Sequence, residues 1–319
     1  MESMAGLKNA KVLVTGGAGF IGSHLVGRLI DLGAVPLVID INIEPRSYFI
    51  VNKIYKNTML DILDIRDRHA VRDFLQKEKP DYIIHLAAQT LVTTAYENPY
   101  ETFNTNIMGT VNILEEARYL AGIQGIVVAS TDKAYGKTQR TYSEDHPLNG
   151  DHPYDVSKSS TDLIARTYFK TYQLPVVVTR FGNVYGEGDV HMDRIIPGIC
   201  EAIIRNKILE IRSDGKYIRD YLYVDDVADG YLFLLKNIGK LQGEAFNFSS
   251  NDKLSVLELL KKSENLLGSK IPYEILNNAK NEIPYQHLND QKVRKLGWKN
   301  NYTFDKVFVN VLNWYRNVL

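Results

Sequence analysis

The sequence predicts an α/β protein built on a doubly wound parallel sheet, and the pattern of its first half is the main reason. Short apolar, β-branched segments alternate there with longer segments of helical periodicity. The short segments are apolar throughout rather than at every second residue, as expected of parallel strands covered by helices on both faces. Strands and helices that alternate over this length favour βαβ units with right-handed crossovers.

The individual strands and helices are predicted from these patterns. The first strand covers 11–15, and the helix after it covers 21–32. Later strands of the same apolar kind are predicted at 35–39, 82–86, 126–129 and 176–179. Another helix starts after Asn98-Pro99, because apolar residues then recur every three or four positions, at Phe103, Ile107, Val111 and Leu114.

The second half of the chain has a different texture, since glycine, aspartate and aromatic residues become frequent from Gly182 onward. Helices predicted at 195–204 and 256–267 are separated by irregular loops, whereas 245–248 has the pattern of a strand. We therefore predict a Rossmann-like domain at 1–181 and a smaller, mostly helical substrate-binding lobe at 182–319. The chain is expected to re-enter the first domain around 220–250.

The composition excludes several classes of function. The chain has 319 residues, and 38 basic and 38 acidic side chains give it no net charge, which argues against a nucleic-acid partner. A single cysteine, Cys200, excludes an internal disulfide and a cysteine-rich metal site, and the histidines lack ligand spacing, so no metal is expected. The polar first ten residues do not resemble a signal peptide, and no uncharged apolar run approaches the ~20 residues that span a bilayer. We therefore expect a cytoplasmic protein with no membrane partner.

A glycine-rich loop directly follows the first predicted strand and opens the first predicted helix. Gly16, Gly19 and Gly22 have the spacing that allows a tight turn, close approach of the backbone to a pyrophosphate, and close helix–strand packing. Phe20 and Ile21 lie inside this loop and belong to the same predicted cofactor site. An acidic residue after the second strand completes the pattern of a dinucleotide site.

That acidic residue is Asp40, 18 positions after Gly22. Its carboxylate can accept hydrogen bonds from the adenosine ribose hydroxyls and repels a 2′-phosphate, so NAD is the expected cofactor. Two alternatives stay open: a solvated acid at a strand end and, because Arg46 lies close in sequence, a site for NADP.

Tyr154 and Lys158 form a Tyr-x-x-x-Lys motif, which places both side chains on one face of a helix. A lysine ammonium beside a phenol favours the phenolate and lowers its pKa, so the tyrosine can act as a base near neutral pH. Thr131 follows an apolar strand and can hydrogen-bond the same substrate hydroxyl.

These motifs occur in the order found in the extended short-chain dehydrogenases that modify nucleotide sugars, and the chain resembles that family over nearly its whole length. The shared segments are the glycine loop, His85-Leu-Ala-Ala-Gln89, Asn106, Thr131, Tyr154-x-x-x-Lys158, Arg180-Phe-Gly-Asn183, Arg219-Asp-Tyr-Leu-Tyr-Val-Asp-Asp226 and Lys295-Leu-Gly-Trp298. The resemblance implies NAD as cofactor and a nucleotide-diphosphate sugar as substrate. It also implies cofactor contacts at Asp61, Ile62, Leu86, Ala87, Ala88 and Asn106, although Asp61 has the alternative of an ordinary loop acid.

The same resemblance implies roles for the motif residues. Tyr154 would take the proton of the sugar 4-hydroxyl while hydride passes from C4 to the nicotinamide. Lys158 would also hold the nicotinamide ribose.

Asp132 and Lys133, directly after Thr131, bear on the fate of the ketone that this oxidation creates at C4. Simple 4-epimerases tend to carry small, non-ionising residues here, whereas a 4,6-dehydratase needs a base for the C5 proton and an acid for the departing C6 hydroxyl. The Asp-Lys pair resembles the CDP-glucose and the inverting UDP-N-acetylglucosamine 4,6-dehydratases. To act as base Lys133 needs a lowered pKa, and to act as acid Asp132 needs a raised one. The alternative is a loop ion pair with no part in catalysis.

Several segments favour the CDP-glucose 4,6-dehydratases, among them Gly182-Asn-Val-Tyr-Gly-x-Gly-Asp189 and Asp193-Arg-Ile-Ile-Pro197. The substrate lobe is shorter than in that pattern, however, and Arg219-Asp220-Tyr221-Leu222 resembles the commoner sugar-modifying enzymes. The nucleobase and the sugar therefore stay open.

The candidate substrate-binding residues are Gln89, Thr93, Asn183, Arg194 and Arg219. A guanidinium binds phosphate oxygens bidentately, which makes the two arginines candidates for the diphosphate. Family analogy places Asn183 at a diphosphate oxygen or the sugar. Alternatively, the arginines are surface ion-pair partners, and Gln89 and Thr93 are satisfied loop groups rather than sugar contacts.

Two other hypotheses of function remain: an epimerase or C4 oxidoreductase on the same scaffold, and a non-catalytic dinucleotide-sensing protein. The intact Thr131, Tyr154 and Lys158 argue against the second. The apolar helices around Ile107 and Ile164 predict a homodimer joined through a four-helix bundle, as in relatives.

Overall fold

A computed structural model of the chain describes residues 5–137, 141–278 and 285–319. The strands of this part, numbered along the chain, are β1 (Lys11–Thr15), β2 (Val35–Asp40), β3 (Met59–Ile62), β4 (Tyr82–His85), β5 (Gly125–Thr131), β6 (Val176–Phe181), β7 (Asn183–Tyr185), β8 (Leu209–Ile211), β9 (Ile218–Tyr223), β10 (Ala245–Phe248), β11 (Lys253–Ser255) and β12 (Tyr273–Ile275). Seven of them form one sheet in the order β10-β6-β5-β4-β1-β2-β3, and each neighbouring pair is parallel. The predicted doubly wound α/β class is confirmed.

Helices cover both faces of this sheet, and others belong to the second group of elements. The α-helices of the described residues are α1 (Phe20–Asp31), α2 (Tyr48–Val51), α3 (Arg68–Glu78), α4 (Val92–Glu97), α5 (Pro99–Phe103), α6 (Gly109–Ala117), α7 (Pro153–Tyr172), α8 (Ile195–Arg205), α9 (Val224–Leu241), α10 (Val256–Leu267), α11 (Gln291–Lys295) and α12 (Phe304–Val318). On one face α1 and α9 pack against the sheet, and on the other α3, α6 and α7 do so, each side with its own apolar core. In the described residues we find no helix with the length and apolar character that crossing a membrane requires.

The helix predicted after Asn98-Pro99 is interrupted. The side chain of Asn98 accepts a hydrogen bond from Glu101 N at 3.1 Å and caps α5, as the start signal indicates. Beyond α5 the chain forms a π turn at Asn104–Met108 before it continues as α6. Periodicity alone could not reveal this turn, because it changes the backbone hydrogen bonds by one residue within a continuous helical path.

A second, smaller group of elements follows residue 181. A three-stranded sheet of β7, β9 and β11 and a pair of β8 with β12 pack with α8, α10 and α12 around another apolar core. The strand β10 and the helix α9 lie with the main sheet although they come after residue 181. The chain therefore crosses between the two groups more than once.

Strand order reverses between β1 and β4, because the chain builds outward from β1 to β3 and then crosses to β4. In open parallel sheets the carboxyl ends of the strands at such a reversal border a crevice that binds ligands. The segments that follow β1, β2, β4 and β5 all reach this crevice, so the topology determines which parts of the sequence can form a site.

A buried ion pair holds the loop after β5 in place. Arg180 on β6 is fully buried, and its Nε and Nη2 donate to the carboxylate of Asp162 on α7 at 2.7 and 2.9 Å. Its Nη1 donates to the hydroxyl of Tyr135 at 2.6 Å, and Tyr135 in turn donates to Asn247 Oδ1 on β10 at 2.8 Å. One guanidinium thus connects β6, α7, β10 and the segment that carries Asp132 and Lys133.

We expect Arg180→Met to lower the free energy of unfolding by ~3–5 kcal/mol, because it leaves the Asp162 carboxylate buried without its partner. Urea unfolding at neutral pH measures this change. The double variant Arg180→Met/Asp162→Leu removes both charges and should regain part of the loss. A single variant as stable as the unmodified protein would contradict the role given to the pair.

Candidate active site

A large cleft opens at the carboxyl edge of the main sheet, and it has a volume of about 1460 Å³. The glycine loop, the ends of β2, β4 and β5, and the start of α7 form one side, and residues after 181 form the other. Sites for a single small ligand usually measure ~300–1,000 Å³. The cleft is therefore large enough for a cofactor and a substrate together.

The glycine loop lines the cleft in the form the sequence predicts. Gly16 has a φ of +69°, and a Cβ there would lie 2.9 Å from Ala87 N. A Cβ on Gly22 would lie 2.2 Å from Gly16 O, so no larger residue fits there without moving the loop. Gly19 is the N-cap of α1 and carries no side chain to bond the first N–H groups. Those N–H groups, with Phe20 and Ile21 beside them at the cleft wall, fit a pyrophosphate.

Asp40 ends β2 at the cleft wall, beside the glycine loop. Its Oδ2 accepts a hydrogen bond from Ala18 N at 3.0 Å, and its Oδ1 accepts one from Ile41 N at 2.8 Å. Burial raises the pKa of this carboxyl, although these backbone hydrogen bonds oppose the shift. The backbone holds the group in position, and the remaining lone pairs can accept from ribose hydroxyls.

The structure corrects the prediction for Asp61 and Ile62. Both belong to β3 and neither lines the cleft, and Ile62 is 62% exposed. The chain repeats Leu-Asp-Ile, and the second copy, Leu63-Asp64-Ile65, follows the end of β3 and lines the cleft. Only residues beyond the end of β3 can reach the carboxyl edge of the sheet. Placing the strand end correctly in the sequence would therefore have pointed to the second Leu-Asp-Ile copy.

The residues after β4 line the cleft as expected. Leu86, Ala87 and Ala88 form its wall, and the N–H groups of the first two donate to Thr15 Oγ1 at 3.2 and 3.1 Å. The Thr15 hydroxyl lies 2.7 Å from His85 Nδ1, and His85 Nε2 lies 2.9 Å from Thr110 Oγ1.

His85 itself is a structural residue. Burial, with a smaller contribution from Lys158, lowers its pKa to about 3, so the imidazole is neutral near pH 7. Because Thr15 Oγ1 already accepts two N–H groups, its hydroxyl proton points to Nδ1, and Nε2–H donates to Thr110.

Asn106 and Gln89 do not line the cleft, in contrast to their predicted contacts with cofactor and sugar. The Asn106 side chain accepts from Gln89 N at 2.7 Å and donates to Gln89 O and to Ser157 Oγ. The Gln89 amide donates to Leu91 O at 2.8 Å. Asn106 thus uses its whole amide to hold the loop after β4 against α7. Thr93, further along, does line the cleft.

Tyr154 and Lys158 lie on the first turns of α7 and both line the cleft. Burial lowers the pKa of Lys158 to about 8, and its Nζ donates to Ala129 O at 3.0 Å. Burial raises the pKa of Tyr154, and the charge that most opposes this shift is Arg194. That Lys158 stabilises the phenolate stays a prediction, and Arg194 is a second cation that favours the phenolate form.

Thr131 ends β5, and Asp132–Tyr135 form a 3₁₀ turn directly after it. The Thr131 hydroxyl donates to Asp132 Oδ1 at 2.9 Å, and Lys133 Nζ lies 3.7 Å from the same oxygen. Thr131 and Lys133 line the cleft, whereas Asp132 does not and keeps only 3% of its side chain exposed.

Two ionisable residues at this wall were missed by sequence reasoning. Asp155, next to Tyr154, and His152, before α7, both line the cleft. Burial raises the pKa of Asp155 to about 6, with Lys133 and His152 opposing the shift and Asp132 adding to it. The motif Tyr-x-x-x-Lys specifies no residue at its three middle positions, so it could not predict a role for Asp155.

On the opposite wall the structure brings Asn183, Arg194 and Arg219 to the cleft. Arg194 Nη1 donates to both carboxylate oxygens of the buried Asp189, at 3.1 and 3.0 Å. Arg219 Nη1 donates to Ile218 O at 2.9 Å, and its guanidinium lies 5.6 Å from the ring centre of Tyr217. Two guanidinium groups therefore line the wall of the cleft that lies opposite the glycine loop.

Comparison with known proteins gives consistent results. Residues 12–248 match the model of the NAD dependent epimerase/dehydratase family. The chain is 31% identical to a dTDP-D-glucose 4,6-dehydratase of Mus musculus over 96% of this chain and 88% of that protein. It is 30% identical to a CDP-glucose 4,6-dehydratase of Salmonella typhimurium over 96% and 90%. A crystal structure of dTDP-glucose 4,6-dehydratase from Bacillus anthracis in complex with NAD superposes with a TM-score of 0.86, at 28% identity, covering 97% of each chain.

We expect Gly22→Ala to weaken NAD binding at least ~10-fold, because the new methyl group would collide with Gly16 O and displace the loop. Isothermal titration calorimetry with NAD measures the change in Kd. Gly27→Ala on the same helix is the matched control, since a Cβ there would come no closer than 3.4 Å, to Ile54 Cδ1. A Gly22→Ala protein that binds NAD like the control would contradict the assignment of the loop.

Proposed function

Since the chain belongs to the NAD-dependent epimerase/dehydratase family, we propose that it is a nucleotide-sugar 4,6-dehydratase, a lyase, of the CDP-glucose type. The observation that carries this proposal is the position of Lys133, an ionisable side chain on the cleft wall two residues after Thr131. Oxidation at C4 needs only Thr131, Tyr154 and Lys158. An additional ionisable group at the sugar supports a reaction that also moves the C5 proton.

The first chemical step uses the residues at the start of α7. Tyr154 removes the proton of the C4 hydroxyl, with the Thr131 hydroxyl as a second hydrogen-bond partner of that oxygen. Arg194 favours the phenolate form that this step requires. Lys158, whose Nζ is fixed by Ala129 O, holds the nicotinamide ribose. Bound NAD would supply the hydride chemistry: it would accept the hydride from C4, and the NADH so formed would return it to C6.

The second step is the loss of water across C5 and C6. A ketone at C4 makes the C5 proton acidic, and Lys133 on the cleft wall is the base that we assign to its removal. The oxygen at C6 must leave with a proton from an acid, for which Asp132 is the candidate that the sequence provides. Loss of water leaves a 4-keto sugar with a C5–C6 double bond. Return of the hydride to C6 and of a proton to C5 then gives a 4-keto-6-deoxy sugar that is still attached to its nucleotide.

The diphosphate is assigned to the wall formed by residues after 181. Arg219 and Arg194 neutralise it, and Asn183 donates to one of its oxygens or to the sugar. We assign NAD binding to residues 1–181 and substrate binding mainly to 182–319, with β10 and α9 returning to the first part. The cytoplasmic location stays a prediction from the sequence.

Cytosine is the proposed base because the Asp132-Lys133 pair and the segment 182–197 resemble the CDP-glucose enzymes. The similarity to a CDP-glucose 4,6-dehydratase supports it, at an identity close to that of the dTDP-glucose relative.

We expect the protein to convert CDP-glucose to a product lighter by one water, and Lys133→Met to slow this conversion ~10²–10⁴-fold. Mass spectrometry after incubation with CDP-glucose, UDP-glucose, UDP-N-acetylglucosamine, dTDP-glucose and GDP-mannose measures it. Lys77→Met, an exposed lysine outside the cleft, is the control and should act like the unmodified protein.

The panel separates the hypotheses. Loss of water from a nucleotide sugar other than CDP-glucose would support the proposed dehydratase reaction and contradict the proposed nucleobase. Unchanged mass with an altered sugar by NMR would mean a 4-epimerase, and it would contradict the dehydratase.

The homodimer is also part of this proposal. Met108, at the end of the π turn, and Leu163, on α7, stay 48% and 52% exposed although both are apolar. The π turn leads directly into α6, which packs beside α7. Two copies that place these faces together would form the predicted four-helix bundle and cover both side chains.

We expect the protein to run as a dimer in light scattering at micromolar concentration and Leu163→Glu to run as a monomer, because a charge would be buried in the bundle. Leu266→Glu, on α10, changes an exposed leucine elsewhere and should stay dimeric. A monomeric parent protein would overturn the proposed dimer.

A further inference from the structure

Gln286 belongs to none of the motifs described above, yet it has the position of a ligand-binding residue. Only 2% of it is exposed, and it lines the cleft. Its Nε2 is buried, and within the described ranges no hydrogen-bond acceptor reaches it. Native proteins rarely leave a buried amide N–H group without a partner, because such a group loses the hydrogen bonds that water gives it. An acceptor on a bound ligand would satisfy this group.

The backbone places Gln286 beside Arg219. Gln286 N donates to Ile218 O at 3.1 Å, and a parallel bridge pairs Tyr285 with Ile218. Continuing this register by one residue puts Gln286 opposite Arg219, with both side chains on the same face. Both residues line the cleft, in agreement with this register.

Contacts on the opposite face hold this segment to β9. His287 Nδ1 lies 2.8 and 2.9 Å from the two carboxylate oxygens of Asp220, and Leu288 N donates to Asp220 Oδ2 at 3.0 Å. All three residues are buried. The backbone that carries Gln286 is therefore fixed relative to Arg219, and a ligand must come to the amide rather than the amide to the ligand.

The surroundings of Gln286 suit a ligand group that is rich in acceptors. The guanidinium of Arg219 and the phenols of Tyr217 and Tyr221 line the same part of the cleft. A diphosphate offers oxygens that accept hydrogen bonds from all of these groups. A half-turn about the last side-chain bond exchanges the amide nitrogen and oxygen without a change of shape, so the NH₂ group of Gln286 can turn toward such an oxygen.

We propose that Gln286 is a substrate-binding residue whose amide donates a hydrogen bond to an oxygen of the nucleotide diphosphate, beside Arg219. This inference rests on the nucleotide-sugar substrate of the proposed function and on the wall to which its diphosphate is assigned. A guanidinium attracts the diphosphate through its charge, whereas an uncharged amide binds only an oxygen at the right distance and angle. Gln286 thus determines where the diphosphate lies along this wall.

The test compares Gln286→Leu with Gln286→Glu, two substitutions of similar size, by isothermal titration calorimetry on protein saturated with NAD. The probes are CDP, UDP, dTDP and GDP. The diphosphate that the parent protein binds most tightly is then compared with its uncharged nucleoside, measured by competition. Gln291→Leu and Gln291→Glu, at an exposed glutamine of α11 outside the cleft, are the matched controls.

We expect Gln286→Leu to weaken binding of the nucleoside diphosphate ~10-fold, the loss typical of one hydrogen bond to a charged group. Gln286→Glu should weaken it ~100-fold or more, because it places a carboxylate against the diphosphate. The affinities for the nucleoside and for NAD should change less than ~3-fold, and the controls should match the parent. Gln286→Leu removes a buried amide that lacks a partner, so its midpoint of thermal unfolding should not fall below that of the parent.

Steady-state kinetics with the nucleotide sugar that the parent protein converts gives a second readout. The diphosphate is not altered by the reaction, so its contacts stabilise the bound substrate and the transition state equally. Gln286→Leu should therefore raise KM ~10-fold and leave kcat within ~3-fold of the parent value. Loss of a residue that only maintains the shape of the cleft would lower kcat as well.

Several results would overturn the inference. A Gln286→Leu protein that binds the diphosphate as tightly as the parent would show that the amide makes no contact. Gln286→Glu binding no worse than Gln286→Leu, or equal losses for diphosphate and nucleoside, would mean that the amide contacts the ribose or the base instead. A parent protein that binds none of the four diphosphates defeats the proposed function as well, and this distinguishes the two failures.

Discussion

The parallel arrangement of the main sheet is the constraint on which the site depends. All seven strands end at the same edge, so residues that follow different strands come together although they are far apart in the chain. Gly16, Asp40, Leu86 and Thr131 each follow or end a different strand and line one cleft. The reversal of strand order between β1 and β4 opens the crevice into which they project. The chemistry is thus located by topology, before any side chain is considered.

Buried polar contacts then fix the details that topology leaves free. Strands determine where a loop begins, but not how its side chains are directed. The guanidinium of Arg180 holds the turn after β5 through Tyr135, and the amide of Asn106 holds the loop after β4 through the backbone of Gln89. Both side chains are almost fully buried and behind the cleft wall. Burying these polar groups costs desolvation free energy, but their directional hydrogen bonds fix the orientation of the groups that face the ligands.

The sequence was informative wherever a local rule sets the structure. Apolar runs identified the strands, and the glycine spacing identified the loop, because a tight turn and close packing admit few other residues. The sequence was less informative where the direction of a side chain determines whether a residue lines the cleft. Asp61 and Asp64 occupy equivalent places in a repeated tripeptide, and only the end of β3 distinguishes them. Asn106 belongs to a family motif, but its amide faces the protein rather than the cofactor. Asp155 and Asp132 are both acids near the motif tyrosine, and only the three-dimensional packing shows which of them borders the cleft.

The π turn at Asn104–Met108 has a consequence for how this segment can vary. The turn inserts one extra residue into an otherwise α-helical path and directs the Asn106 carbonyl so that it accepts from both Thr110 and Thr161. Deleting any one residue here would restore regular α-helix and rotate everything before it by about 100° relative to α6. A deletion between Asn106 and α6 would turn Asn106 away from Gln89 and Ser157. In this stretch the number of residues matters more than most of their identities, so its evolutionary drift is expected to run through substitutions and not through changes of length.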